Sequence, residues 1–162
     1  NDLLRGGDET DSIFGNDGDD TLIGDNGNDG LFGDADNDTI FGGNGIDMID
    51  GGEGDNRLFG GNGFDQIQAG SGNDFIRGGR GNDSIFAGFG NNTVFGDEHN
   101  DTITSGDGED SITGNDGSDF VSAGSGADTI DVEEGALPDG IDTVSGVEMV
   151  DIIFADANDV LM

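Results

Sequence analysis

Residues Gly78–Phe86 read GGRGNDSIF and residues Gly42–Asp50 read GGNGIDMID, with glycines at positions one, two and four, aspartate at six and isoleucine at eight. The same nine-residue frame runs fourteen times from Gly6 to Asp131 without insertion or deletion. Position eight is aliphatic in every copy: Ile13, Leu22, Leu31, Ile40, Ile49, Leu58, Ile67, Ile76, Ile85, Val94, Ile103, Ile112, Val121 and Ile130. Position six is Asp11, Asp20, Asp29, Asp38, Asp47, Asp65, Asp74, Asp83, Asp101, Asp110, Asp119 and Asp128, and Asn56 and Asn92 fill the two remaining copies. A strict period of this kind marks a solenoid, in which each unit buries its apolar face only against its neighbours.

Positions seven to nine are often β-branched or aromatic, as in Thr39-Ile40-Phe41 and Thr93-Val94-Phe95. One buried residue flanked by two pointing the other way predicts a three-residue strand, with the six residues before it forming a turn. Position two is always Gly, Asn or Asp, the types that tolerate positive φ. Position four is Gly except at Glu9, Asp36 and His99, where an altered turn is expected. Two nonamers then form one coil with a strand on each side. Stacked coils give an all-β solenoid of two parallel sheets around a thin aliphatic core, and about seven coils at ~4.8 Å make a rod of roughly 34 Å.

Composition argues against an ordinary globule. The 162 residues include 34 glycines, 37 acids and 4 bases, with a net charge of −33. Hydrophobic content is 31%, below the usual ~45–50%, and such a chain tends to disorder. Nucleic acid and anionic membranes would be repelled, so cations are the natural partners. No apolar run is long enough to span a membrane, and the first residues do not form a cleavable leader. Cysteine is absent, which removes disulfides and thiolate metal sites.

The aliphatic column cannot hold this fold alone. Burying one Ile or Leu contributes roughly 1.5–3 kcal/mol, while ordering each residue's backbone costs about 1–2 kcal/mol. A hard divalent cation held by carboxylate and carbonyl oxygens supplies the missing term. Turns on one side recur every two repeats, so carboxylates 18 positions apart should face one ion. One row is Asp11, Asp29, Asp47, Asp65, Asp83, Asp101 and Asp119. The other is Asp2, Asp20, Asp38, Asn56, Asp74, Asn92, Asp110 and Asp128, with weaker or missing ions expected beside the two asparagines. Mixed oxygen ligands on flexible turns favour calcium over magnesium, and one histidine without cysteine disfavours zinc.

The GGxGxD-x-aliphatic-x pattern over Gly6–Asp131 resembles the RTX family, the hemolysin-type calcium-binding nonapeptide repeat. The resemblance implies a right-handed parallel β-roll with several Ca²⁺ ions between adjacent turns. It adds carbonyl ligand candidates at Gly43, Gly45, Gly61, Gly63, Gly70, Gly72, Gly79, Gly81, Gly88 and Gly90 to the position-six column. It implies a non-catalytic module of a secreted protein, exported by the type I route and folding outside the cell, within a toxin, an enzyme or an adhesin. The alternative is a ligand- or surface-binding module of an RTX adhesin, a surface-layer protein or a polysaccharide-modifying enzyme, whose surface contacts a protein, a glycan or a neighbouring domain.

Two segments are expected: the repeat body over 1–131, and an insertion with a capping segment over 132–162. Asn1-Asp2-Leu3-Leu4-Arg5 fills positions five to nine, so the sequence starts in mid-repeat and a longer parent is expected. Residues 132–139 carry the single proline and read as the insertion, while 140–162 has strand character. Position nine carries Phe14, Phe32, Phe41, Phe59, Phe86 and Phe95, which should point outward as rim packing or as an apolar stripe for a partner. His99 lies in a turn without a companion nucleophile or metal cluster, and no lipase or zinc-protease motif occurs.

Overall fold

Position eight and position one of the next nonamer are two residues apart, and in an extended chain they face the same way. Both point inward. From Leu22 to Ile130 the position-eight residues are at most 2% exposed, and Val144 extends that column. The computed structural model describes residues 1–131, 143–145, 152–154 and 160–161. Within them the chain winds into two nine-stranded parallel sheets. One sheet begins with Leu3–Asp8, Thr21–Asn26 and Thr39–Asn44, and the other with Ser12–Asp17, Gly30–Ala35 and Met48–Asp50. No helix occurs among the described residues.

Register repeats every coil. Leu22 pairs with Ile40, Ile40 with Leu58 and Leu58 with Ile76, so each aliphatic column stacks on itself. Leu4 and Ile13 pack partly buried against one end. The expected right-handed β-roll class is therefore met as a parallel solenoid of about seven two-strand turns. The strands, however, are longer than the sequence suggested. Most run six residues, from position seven through position three of the next repeat, as in Arg57–Asn62. Only Met48–Asp50, Gln66–Gln68 and Thr129–Asp131 keep the three-residue length within the repeat body. Position one continues the extended strand, and position two stays in the ladder despite its positive φ, because the neighbouring coil supplies pairing that the local sequence does not announce.

Positive φ falls at the positions expected. Asn16, Asp25, Asp34, Asp97 and Asn115 at position two lie between 68° and 80°. Glu9, Asp36 and His99 at position four lie between 75° and 86°, whereas Gly45, Gly63 and Gly81 there open to 134–143°. The altered turn at those three non-glycine residues is thus a tighter left-handed one. Thr143–Ser145, Ile152–Phe154 and Val160–Leu161 continue the two stacks in parallel register. The expected insertion over 132–139 lies outside the described residues.

The position-nine phenylalanines do not make one stripe. Consecutive repeats belong to opposite sheets, so the rings divide between two faces. Phe14 and Phe32 stack at 4.8 Å on one face. Phe41 and Phe59 stack at 4.9 Å on the other, where Phe75 and Phe95 extend the series and Arg77 lies over Phe95. The same face carries the ion pairs Arg5–Asp25, Arg77–Asp97 and Arg80–Glu98, and an amide ladder from Asn62 through Asn44 and Asn26 to Asp8.

Candidate metal centre

A three-residue turn over positions four to six closes each strand and delivers the position-six side chain to the interior. From Asp20 to Asp128 these residues are 1–3% exposed, so the aspartate column is not a solvated acidic face. The turns lie on two edges of the solenoid. The first edge holds the row from Asp11 to Asp119, and the second holds the row from Asp2 to Asp128.

From Asp20 onward, one oxygen of each carboxylate has a structural task. Oδ1 of Asp65 accepts the backbone N–H of Asp47 at 2.9 Å, and Oδ1 of Asp83 accepts that of Asp65 at 2.7 Å. On the second edge, Oδ1 of Asp38 accepts from Asp20 at 2.8 Å. The spacing is 18 residues throughout, which brings together the two rows expected from the sequence. Each coil is thereby tied to the next by a charge-assisted bond.

The second oxygen has no such task. Oδ2 of Asp11, Asp20, Asp29, Asp38, Asp47, Asp65, Asp74, Asp83 and Asp101 is buried with no hydrogen-bond partner among the described residues. A buried unsatisfied carboxylate oxygen is costly. Burial, with neighbouring carboxylates adding to it, pushes Asp101 up to about 8 and Asp65 up to about 7, against the backbone hydrogen bond each accepts. Asp74 and Asp83 rise to about 6 for the same leading cause.

The asparagine repeats show what that oxygen faces. Asn56 Oδ1 accepts the Asp38 N–H at 2.9 Å, as an aspartate would, and its Nδ2 donates to the Gly54 carbonyl at 3.1 Å. Asn92 repeats this, taking the Asp74 N–H at 2.9 Å and reaching the Gly90 carbonyl at 3.0 Å. A donor therefore lies beside the position-four carbonyl in these two turns. With aspartate the corresponding atom is an acceptor that brings no hydrogen of its own, and a buried acceptor of this kind calls for a cation or a proton.

Among the described residues no three His, Cys, Asp or Glu side chains converge on one point. A metal here must take backbone carbonyls as well, a hard all-oxygen set that suits Ca²⁺. The glycine carbonyls named from the sequence lie along these turns and adjoining strands, and two of them accept hydrogen bonds outside the strand ladders. Gly90 O accepts the Asn92 amide, and Gly70 O accepts the Phe89 N–H at 2.9 Å.

Position one escaped the sequence reading. A β-carbon on Gly60 would lie 2.5 Å from Asp65 Oδ2 and 2.5 Å from the Gly78 carbonyl. This column is small in every copy: glycine, alanine at 69, 87 and 123, or serine at 105. That uniformity was the available signal.

A family model described as the RTX calcium-binding nonapeptide repeat matches the chain in four copies, over residues 1–31, 32–67, 59–94 and 95–130. No curated protein matches it. RTX repeats bind calcium, form structural and generally non-catalytic β-rolls, and are typical of secreted proteins. With the match spanning most of the chain, on a solenoid whose turns bury carboxylates beside carbonyls, the chain belongs to the RTX calcium-binding repeat family.

Proposed function

We propose that this chain is a structural module whose coils are locked by Ca²⁺ at the position-six aspartates, so that folding waits for a calcium-rich medium outside the cell. The contrast between Asn56 and Asp65 supports this reading most directly. The amide closes its turn on its own carbonyl, while the carboxylate leaves a buried oxygen without a donor. The ion supplies the positive charge that the amide hydrogens supply at Asn56. Binding only to the folded state, it stabilises that state by mass action. Without it, a net charge of −33 opposes compaction.

In this reading the module carries no catalytic residues. It serves a larger exported protein, with type I export as the route. Circular dichroism of the full chain in chelator and in millimolar calcium tests it. The expected result is a disordered spectrum in chelator and a β spectrum with calcium. A fully folded chain in chelator at neutral pH sinks the proposal.

A groove favours a second reading. On the outer face of one sheet, Asp50, Gln66 and Gln68 lie between the rings of Phe32 and Phe86. Aromatic faces with hydrogen-bonding side chains between them suit a neutral glycan, because the chain's charge repels polyanions. Glycan-array binding that Phe86→Ser abolishes supports it, and an array without hits removes it.

A further inference from the structure

We infer that cations load the first edge of the solenoid, and that the second edge from Asn56 to Asp110 is built to hold itself without them. This rests on the calcium reading above and assigns which turns take the ions. Two observations carry it, one from hydrogen bonding and one from the position-one column.

An ion between coils needs a carboxylate from each of two successive turns on one edge. On the first edge Asp11, Asp29, Asp47, Asp65, Asp83 and Asp101 stand in unbroken succession, each with a buried, unpartnered Oδ2. On the second edge, among the described residues, only Asp20 and Asp38 form such a buried pair. Beyond them Asn56 and Asn92 alternate with aspartates. Asp38/Asn56, Asn56/Asp74, Asp74/Asn92 and Asn92/Asp110 therefore each contain an amide already closed on its own turn. At Asp110 a different side chain does the same work, as the Ser105 hydroxyl donates to the Asp110 Oδ2. Two asparagines and one serine are placed so that no pair in this stretch keeps both oxygens free.

The position-one column divides the same way. All seven first-edge repeats open on glycine, Gly6 through Gly114. A β-carbon there would come within 2.4–2.6 Å of the turn's Oδ2. Glycine keeps that oxygen approachable. The second-edge repeats open on glycine at 15, 33 and 51, then on Ala69, Ala87, Ser105 and Ala123. Side chains thus enter the space beside the carboxylate only on the second edge, and only in coils whose pairs are interrupted or follow the interruption. Asp74, between the two asparagines, retains a lone buried oxygen with no carboxylate partner on either side.

Equilibrium dialysis of the full chain against Ca²⁺, with bound metal measured by atomic emission, tests the assignment. Asp65→Asn should lose two ions, those shared with Asp47 and Asp83. Asp74→Asn should lose none. Combining Asn56→Asp, Ala69→Gly, Ala87→Gly and Asn92→Asp should gain ions, because it rebuilds the Asp38-to-Asp74 and Asp74-to-92 pairs. Equal losses for Asp65→Asn and Asp74→Asn overturn the inference, as does a folded combined variant with unchanged stoichiometry. If Asp65→Asn does not fold, the Asp74→Asn and combined variants still decide. A wild-type chain that binds no calcium overturns instead the calcium reading itself.

Discussion

Asp65 and Asn56 end turns on opposite edges, and each gives its Oδ1 to a backbone N–H of the preceding coil at 2.9 Å. They differ in one atom. Asn56 presents Nδ2, which reaches the Gly54 carbonyl at 3.1 Å, while Asp65 presents an oxygen with no donor. An isosteric exchange therefore decides whether the chain or the solution supplies the positive charge that closes a turn. A single repeat can serve both purposes because shape and charge are set by separate atoms of one side chain.

The largest test of this comparison is steric. A β-carbon on Gly63 would fall 1.5 Å from the Gly45 carbonyl at a φ of 143°. Gly63→Ala should cost upwards of about 4 kcal/mol, the exceptional end for one substitution, read by denaturant unfolding in saturating calcium. Gly54→Ala meets the Asp36 carbonyl at 2.2 Å with φ 111°. Its turn lies closer to the tighter form that Asp36 and His99 already adopt, so about 1–3 kcal/mol is expected. Equal costs would mean that the turns at Gly63 and Gly54 share one geometry after all.

Next in size is removal of the side chains that differ. Asp65→Ala and Asn56→Ala each strand a backbone N–H, at ~1–3 kcal/mol. Calcium should separate them. The slope of stability against the logarithm of calcium concentration should fall for Asp65→Ala and stay unchanged for Asn56→Ala. A lower slope for Asn56→Ala would place an ion beside Asn56 and contradict the assignment.

Acid should partly replace the metal. Burial holds Asp101 at about 8 and Asp65 at about 7 in the folded chain, against 3.8 for an ordinary aspartate. The folded state then binds more protons than the unfolded one between those values, so metal-free stability falls as pH rises through that window and is greatest near pH 4. A circular-dichroism titration in chelator should show β structure growing on acidification from pH 8 towards 4. Loss of β structure over that range would contradict the buried, unpaired state of these carboxylates. The smallest effect belongs to the outer face, which serves neither edge. Arg77→Ala removes an exposed ion pair with Asp97 and a contact over Phe95. It should cost under about 1 kcal/mol by thermal unfolding in calcium.

Much of this was legible in the residues. The aliphatic column at position eight located the core, and the 18-residue spacing of position six named both rows before any coordinates. The glycines and their Asn and Asp substitutes located the left-handed turn residues, because few other types accept positive φ. Strand length was not legible, since Gly60-Gly61 carries no β propensity and joins the ladder only through the coils on either side. The division of the phenylalanines was implicit in the alternation of repeats, yet their stacking depended on sheet register.

The sequence by itself determined the period, the solenoid, the buried column and the identity of the acidic rows, because each is a statement about one nonamer repeated. Tertiary structure alone decided what the aspartates face. A carboxylate such as Asp83 has one oxygen on a backbone N–H 18 residues earlier and the other buried without a partner, and that depends on the neighbouring coil. The same holds for the serine that reaches Asp110 and for the glycines that keep the first edge open. Spacing shows which residues share an edge, and only the packed coils show which of their atoms remain without a partner.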